Sequence, residues 1–113
     1  MRSQLKVGSL EGCTAIVAGN SRSIAPPIVS AFCKERINLV LAAPSEHDIK
    51  QMLSAVCSAR TKVLSVTTDF GNRNAITSLV ERALNEFGCV DILVNNSILE
   101  TIYPYHRLLF EEI

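Results

Sequence analysis

The sequence has 113 residues, of which 48% are hydrophobic and 19% are charged, and this balance excludes an intrinsically disordered chain. Eleven basic and eleven acidic residues give a formal net charge of zero, which excludes bulk electrostatic attraction to nucleic acid or to an anionic membrane. The apolar runs are far shorter than a membrane span, and the opening MRSQLKVGS lacks the apolar core of a secretory signal. We therefore expect a single cytoplasmic domain that binds neither nucleic acid nor a membrane.

The first predicted elements are a strand and a helix joined by a tight turn. The run CTAIVA predicts a strand over 13–18, and Gly19 directly follows it. A helical pattern extends over about 24–36, with Pro26 and Pro27 in its first turn, where a missing N–H group costs little. This pair begins an alternation of strands and helices that is typical of a parallel sheet.

A second helix and two further strands continue the alternation. The run INLVLAA over 37–43 is apolar apart from Asn38, which is typical of a strand covered on both faces. Ser45 with Asp48 three residues later approximates a capping box and predicts a helix start. A third strand is predicted over 62–66. The apolar face of the intervening helix is formed by Ile49, Met52, Leu53 and Val56.

The third helix has the clearest periodic pattern, with Asn72 able to cap its start and Gly88 its end. After it, VDILV predicts a fourth strand over 90–94, and Asn95 and Asn96 lie at the carboxyl end of that strand. Core packing explains the apolar stripe of this helix without a ligand. The stripe consists of Ile76, Leu79, Val80, Ala83, Leu84 and Phe87.

Four parallel strands joined by right-handed crossovers give a sheet of strand order 3-2-1-4. The order reverses between the first and fourth strands, and ligands of such sheets bind at the carboxyl edge of that switch point. The same handedness places the first two helices on one face of the sheet and the third on the other. We therefore expect one face to be half covered and the fourth strand to present an exposed edge.

The turn between the first strand and the first helix has the sequence AGNSRSIA over 18–25. Backbone N–H groups and the positive end of the helix dipole point at one spot there, which suits a pyrophosphate. Gly19 serves the tight turn, and the small Ala25 lets the helix approach the strand closely. The sequence thus predicts an anion-binding site at this turn.

The segment LEGCTAIVAGNSRSIA resembles the opening of the short-chain dehydrogenase/reductase (SDR) family, whose pattern in this region is T-G-x-x-x-G-x-G. Gly19 occupies the first glycine position, Ser23 the second and Ala25 the third. A side chain at the second position costs on the order of 1–3 kcal/mol if it strains the backbone, whereas the serine hydroxyl is also able to donate to a phosphate oxygen. The resemblance implies an incomplete three-layer α/β fold of Rossmann type that binds a nicotinamide dinucleotide.

Two further segments resemble the family and occur in the same order along the chain. Asp69 in TTDF follows the third strand, where the family places an Asp that contacts the adenine; a turn or helix-entry role is an equally supported alternative. The segment NNSI resembles the family's N-N-A-G, with Asn95 tying adjacent strands and Ile98 in place of the glycine beside the cofactor ribose. The resemblance implies a cofactor-binding set of Gly19, Ser21, Arg22, Ser23, Ile24, Asp69, Phe70 and Asn95.

The resemblance also bears on which dinucleotide is bound. The second strand ends in AAP at 42–44, where an acidic residue would bind the ribose hydroxyls of NAD and a basic residue the 2′-phosphate of NADP. Arg22 stands just before the second glycine position, where a basic residue in the family favours NADP; a solvated loop Arg is the alternative. We predict NADP in preference to NAD.

No catalytic residue is assigned. The family's chemistry uses an Asn on the helix after the fourth strand, then a Ser, then Tyr and Lys in Y-x-x-x-K, and none of these can be placed in this sequence. Tyr103 and Arg107 have that spacing, but Pro104 interrupts it and the segment follows the fourth strand, one βαβ unit too early.

The expected organisation is a flexible segment over 1–9, an NAD(P)-binding domain over 10–98, and a loop or helix start over 99–113 that ends before the catalytic half. The implied function is the NAD(P)-binding segment of an SDR-like oxidoreductase, inactive alone. One alternative is a non-catalytic interaction module that associates with itself or with a full-length relative through the exposed sheet edge. The other alternative is a decayed fragment without function.

The cysteines and histidines predict no metal site. His47 and His106 each lack a second ligand at a suitable spacing, which favours ordinary surface histidines. The four cysteines are widely spaced and form no C-x-x-C pair, so we expect buried, reduced thiols. They are Cys13, Cys33, Cys57 and Cys89.

Overall fold

The computed structural model describes residues 10–19 and 25–96. Strands and helices alternate as predicted, and the strand bounds differ from the predicted ones by one or two residues. Within the described ranges, no helix has both the length and the apolar character needed to cross a membrane. The segments predicted at 1–9 and 99–113 lie outside these ranges. The elements are β1 Thr14–Gly19, α1 Ala25–Lys34, β2 Asn38–Ala43, α2 Glu46–Leu53, β3 Val63–Thr67, α3 Arg73–Phe87 and β4 Ile92–Asn96.

The four strands form one parallel sheet in the order β3-β2-β1-β4, which confirms the predicted topology and fold class. The order reverses at β1, because β2 pairs with one side of it and β4 with the other. In this register Ala18 lies between Ala42 of β2 and Asn95 of β4. The carboxyl ends of β1 and β4 are therefore neighbours at one edge of the sheet.

The fourth strand begins and ends later than the sequence pattern predicts. Asn95 and Asn96 belong to β4 instead of following it, because parallel pairing with β1 continues as far as Gly19. Hydrogen bonds to the neighbouring strand outweigh the low strand preference of two asparagines. At the other end, the Asp91 N–H donates to the Thr14 carbonyl at 2.8 Å, and Asp91 Oδ2 accepts from the Thr14 N–H at 2.9 Å. These two bonds align the beginning of β4 with that of β1.

The helices cover the two faces of the sheet as predicted, with α1 and α2 on one face and α3 on the other. β1 and β2 are buried along almost their whole length, because each has strand neighbours on both sides and helices on both faces. The core on the α1 and α2 face comprises Ala15, Val17, Ala25, Val29, Ile37, Leu39, Leu41, Ala43, Ile49 and Met52. The core on the α3 face comprises Ile16, Ala18, Val40, Ala42, Val66, Leu79 and Ala83.

The two ends of α3 are those that its sequence predicts. Asn72 is the N-cap, and its Oδ1 accepts from the backbone N–H groups of Asn74 at 2.9 Å and Ala75 at 3.2 Å. Gly88 is the C-cap, with a left-handed φ of 81°, and its N–H donates to the Leu84 carbonyl at 2.8 Å. Local signals thus determine where this helix begins and ends.

The apolar stripe of α3 is only partly buried, so its interpretation as core packing is wrong for about half of the stripe. Leu79 and Ala83 are buried, because α3 lies over β2 and β3. The described residues leave β4 uncovered on this face, and Leu93 of β4 is 65% exposed. The stripe residues that are 38–44% exposed are Ile76, Val80 and Leu84.

The second helix is shorter than its apolar pattern predicts. Ser45 caps it as expected, with its Oγ accepting from the Asp48 N–H at 3.2 Å. Ile49 and Met52 are buried, but the helix ends at Leu53, which is 39% exposed. Leu53 belongs to the predicted apolar face but not to the buried face of this short helix, which Ile49 and Met52 form.

Candidate functional site

Gly19 is the last residue of β1 and lies at the carboxyl edge where the strand order reverses. It is buried, and its φ of 139° lies in a region that side-chain-bearing residues rarely adopt. The next element, α1, begins at Ala25, which is fully buried in the core. A strand end, a positive-φ glycine and the entry to a helix thus follow one another, an arrangement that binds phosphate groups in α/β folds.

The structure describes four of the eight predicted cofactor-binding residues, and all four lie at carboxyl ends of strands. Gly19 and Asn95 lie at the carboxyl end of the pairing between β1 and β4, while Asp69 and Phe70 follow β3. Because the strands are parallel, these positions share one edge of the sheet. The predicted residues outside the described ranges are Ser21, Arg22, Ser23 and Ile24, and the substituted position Ile98 is also outside them.

Asp69 begins the turn from β3 into α3. Its Oδ1 accepts from the Gly71 N–H at 2.9 Å, and its carbonyl accepts from the Asn72 N–H at 3.0 Å. This is the turn and helix-entry role that the sequence left open. The side chain is also exposed at the edge, and a carboxylate offers about four acceptor sites, so the turn role leaves capacity for a ligand.

Thr68 is a positioning residue that the sequence reasoning missed. Its N–H donates to the Ala43 carbonyl at 2.8 Å, which extends the pairing of β2 and β3 by one residue, and its Oγ1 donates to the Val66 carbonyl at 3.1 Å. Thr68 is only 1% exposed, so it fixes the backbone from which Asp69 projects. The sequence signal that could have found it is the pair Thr67 and Thr68, directly after the strand predicted over 62–66.

Phe70 and Asn95 have environments of different kinds. Phe70 is half-buried and packs against the core on the α3 face, so part of its ring is committed to packing. Asn95 is exposed and lies opposite Ala18 in the register of β1 and β4. Asn95 is therefore the more accessible of the two at the carboxyl edge.

The end of β2 carries no acidic side chain. Ala42 and Ala43 are fully buried, and Pro44 follows them on the surface. The next polar group, the Ser45 hydroxyl, donates to Asp48 Oδ2 at 3.0 Å and also accepts from the Asp48 N–H. Small residues leave this part of the edge open, and the capping role of Ser45 occupies its hydroxyl.

The described residues fit a bound dinucleotide. The backbone of Gly19 needs a residue without Cβ, as a close phosphate turn does, and the adjoining ends of β1 and β2 carry alanines. The exposed Asp69 carboxylate lies beyond β3 at the same edge. Gly19 and the residues leading into α1 would hold the pyrophosphate, and Asp69 the adenine. A bound reduced dinucleotide would supply the hydride, which amino-acid side chains do not provide.

The thiols differ from their predicted environment. Cys13 and Cys33 are buried, but the expectation of burial is wrong for Cys57, which is exposed, and only partly right for Cys89. The reason for Cys57 is that α2 ends at Leu53, so the thiol lies in the connection that leads to β3. None of the four described cysteines forms a disulfide.

His47 is exposed in the first turn of α2, and His106 lies outside the described residues. Over the described part of the chain, no group of three or more His, Cys, Asp or Glu side chains is placed to hold a metal ion.

The family model for short chain dehydrogenases matches residues 13–113, and the chain belongs to this family of oxidoreductases. Among curated relatives, glucose 1-dehydrogenase 2 of Bacillus subtilis is 37% identical over 91 residues, which cover 78% of this chain and 34% of the relative. Hydroxysteroid dehydrogenase-like protein 2 of Mus musculus is 33% identical over 97 residues, which cover 80% of this chain and 20% of the relative. The chain thus spans about a third or less of the length of these relatives.

Solved structures of the family have the same fold. A short-chain dehydrogenase/reductase from Serratia marcescens matches with a TM-score of 0.69 and 35% identity, over 78% of this chain and 36% of that one. A metagenomic short-chain oxidoreductase in complex with NADP has a TM-score of 0.72 and 27% identity, over 81% and 42% of the two chains. A 3-ketoacyl-(acyl-carrier-protein) reductase from Brucella melitensis complexed with NADH has a TM-score of 0.61 and 26% identity, over 75% and 34%.

Proposed function

We propose that this chain is the segment of a short-chain oxidoreductase that binds the nicotinamide dinucleotide, with NADP(H) preferred to NAD(H). The observation that carries the proposal is Gly19, a positive-φ residue at the end of β1 and at the switch point between β1 and β4. Relatives complexed with NADP and with NADH support dinucleotide binding in general. The preference rests on Arg22 and on the lack of an acidic side chain at the end of β2.

We attribute hydride transfer between the dinucleotide and a carbonyl or alcohol substrate to a chain that also contains the family's catalytic half, as the longer relatives do. Tyr103 and Tyr105 are the two tyrosines of the sequence, and neither has a Lys four residues later. The proton-transferring pair of the family's Y-x-x-x-K motif is therefore missing from these 113 residues. The chain on its own binds the cofactor and turns over no substrate.

Titration of NADPH and NADH with the purified chain tests this function. The emission of the reduced nicotinamide, which is excited where protein side chains do not absorb, reports binding directly. Arg22→Ala is expected to weaken NADPH binding about tenfold and to leave NADH binding unchanged, because one charge-assisted hydrogen bond to the 2′-phosphate is lost.

Arg60→Ala is the matched control, since it removes the same charge from an exposed position just before β3, at the opposite edge of the sheet. It should leave both affinities unchanged. Equal losses for NADPH and NADH in Arg22→Ala would contradict the assignment of Arg22 to the 2′-phosphate. No binding of either nucleotide at millimolar concentration would contradict the proposed function itself.

A second candidate function is self-association, which the exposed apolar residues of β4 and α3 favour. Leu93 is 65% exposed on the outer strand of the described sheet, beside the half-exposed stripe of α3. A large apolar patch and an unpaired strand edge both promote association.

Light scattering at increasing protein concentration tests this second candidate. We expect an apparent mass above that of one chain, which falls when Leu93→Glu places a charge on the patch. Leu53→Glu is the control, because Leu53 is also exposed but lies on α2, away from β4. A single-chain mass at all concentrations would refute self-association.

A further inference from the structure

Two thiols meet at the amino edge of the sheet, opposite the carboxyl edge that ends in Gly19. Cys33 lies in the last turn of α1, and Cys57 lies in the connection between α2 and β3. The Cys57 N–H donates to Cys33 Sγ at 3.1 Å, so the sulfur of one cysteine contacts the backbone of the other. The pair is therefore in contact without being bonded.

The two sulfurs of this pair differ in exposure and in acidity. Cys33 is 3% exposed, whereas Cys57 is exposed. Burial raises the pKa of the Cys33 thiol, but hydrogen bonds from Thr61, from the Cys57 thiol and from the amides of Cys57 and Ser58 outweigh it, so that this pKa lies below its usual value. The hydrogen bond with Cys33 raises the pKa of the Cys57 thiol. Cys33 is thus the sulfur that ionises first.

A groove of about 620 Å³ opens over both thiols. Three exposed cations line it, Lys34, Arg60 and Lys62, while a fourth, Arg36, forms an ion pair with Glu11 at 3.7 Å. Among the described residues, no carboxylate lines this groove. The positive charge of the groove therefore favours the approach of small anions to the two sulfur atoms.

We propose that Cys33 and Cys57 form a redox site at which an anionic low-molecular-weight disulfide oxidises the two thiols to an intramolecular disulfide. The hydrogen bond from the Cys57 N–H to Cys33 Sγ brings the two cysteines together, which a disulfide requires. The cationic groove recruits a reagent that carries carboxylates. The site lies at the edge opposite the proposed cofactor site and does not depend on that proposal.

The exchange proceeds in two steps and balances. Cys57 attacks first because it is the exposed sulfur, although its pKa is the higher of the two. After losing its proton to solvent, it attacks one sulfur of the reagent RSSR, so that a Cys57–S–S–R bond forms and RS⁻ leaves to take up a proton. The Cys33 thiolate then attacks the Cys57 sulfur, which forms the Cys33–Cys57 disulfide and releases the second RS⁻. The protein loses two electrons and two protons, and RSSR is reduced to two RSH. Excess RSH reverses both steps.

Glutathione disulfide is the probe for this site. The reduced 113-residue chain is incubated with it, trapped with an alkylating agent and mapped by peptide mass spectrometry. We expect a product lighter by two hydrogen atoms, about 2 Da, with the bond between Cys33 and Cys57. Cys57→Ser abolishes this product, whereas Cys89→Ser, which removes a partly exposed thiol elsewhere, leaves it unchanged. The same reaction in urea loses its selectivity among the four cysteines.

The role of the groove is tested with a neutral disulfide, 2-hydroxyethyl disulfide, in parallel. Neutralising two cations in Arg60→Gln/Lys62→Gln, neither of which acts on the pKa of Cys57, is expected to slow oxidation by glutathione disulfide roughly threefold or more and to spare the neutral reagent. Equal slowing of both reagents would overturn the anion preference. A reaction that stops at a glutathione adduct of Cys57, or that modifies Cys89 first, would overturn the dithiol site.

Discussion

Replacing Leu41 by alanine is expected to lower the free energy of unfolding by about 2–5 kcal/mol. Leu41 lies in β2, between β1 and β3, and is fully buried in the core on the α1 and α2 face. The substitution removes buried methyl groups and leaves a cavity where strands on both sides limit relaxation. A domain of this size has a total stability of about 5–15 kcal/mol, so a large part of it is lost.

Urea unfolding followed by circular dichroism measures the change. Leu53→Ala is the matched control, because Leu53 ends α2 and is 39% exposed. Leu53→Ala should lower the free energy of unfolding by less than about 1 kcal/mol, because a side chain that is already partly exposed buries less apolar surface on folding. Equal losses in the two variants would contradict the placement of the core.

Replacing Gly19 by valine is expected to abolish measurable dinucleotide binding and to cost about 1–3 kcal/mol of stability. The φ of 139° is one that a β-branched residue resists, and the position is buried at the end of β1. If the proposed site is correct, the strand end also shifts away from the geometry that brings backbone N–H groups to the pyrophosphate.

Gly12→Val separates the loss of binding from strain in general. Gly12 has a positive φ of 84° and no atoms within 4 Å of an added Cβ, and it precedes β1 at the amino edge. The Gly12 variant should lose stability and keep its affinity for NADPH. An equal loss of affinity in both variants, compared at temperatures where both are folded, would remove Gly19 from the cofactor site.

The sequence predicts the fold of this chain well because the relevant signals are local. An apolar run such as that of β2 requires cover on both faces, and together with right-handed crossovers it leaves one strand order. Asn72 and Gly88 bond within their own helix, so the ends of α3 can be read from a few neighbouring residues.

The features that sequence reasoning missed depend on distant residues. The partial exposure of the α3 stripe follows from which strands that helix lies over, and periodicity carries no information about that. The inclusion of Asn95 in β4 follows from pairing with β1. The contact of Cys33 with Cys57 joins the last turn of α1 to the connection between α2 and β3, and neither segment alone contains a signal for it.

The candidate cofactor site was predictable only in outline. The resemblance to the family indicates Gly19 and Asp69, and the structure puts both at the carboxyl edge. It also gives Asp69 a turn-forming hydrogen bond and adds Thr68, which fixes the backbone before it. The assignments of Ser21, Arg22, Ser23 and Ile24 remain predictions, because these residues lie outside the described ranges.

Amide chemical shifts recorded by nuclear magnetic resonance during titration with NADPH test the central claim most directly. The predicted result is a set of shifted resonances confined to the carboxyl edge, at Gly19 and the residues up to Ala25, at Asp69 and Phe70, and at Asn95. The amides around Cys33 and Cys57 at the opposite edge should stay unshifted. Shifts that cluster at that opposite edge, or a spectrum unchanged at millimolar NADPH, would contradict the account of this chain as a dinucleotide-binding segment.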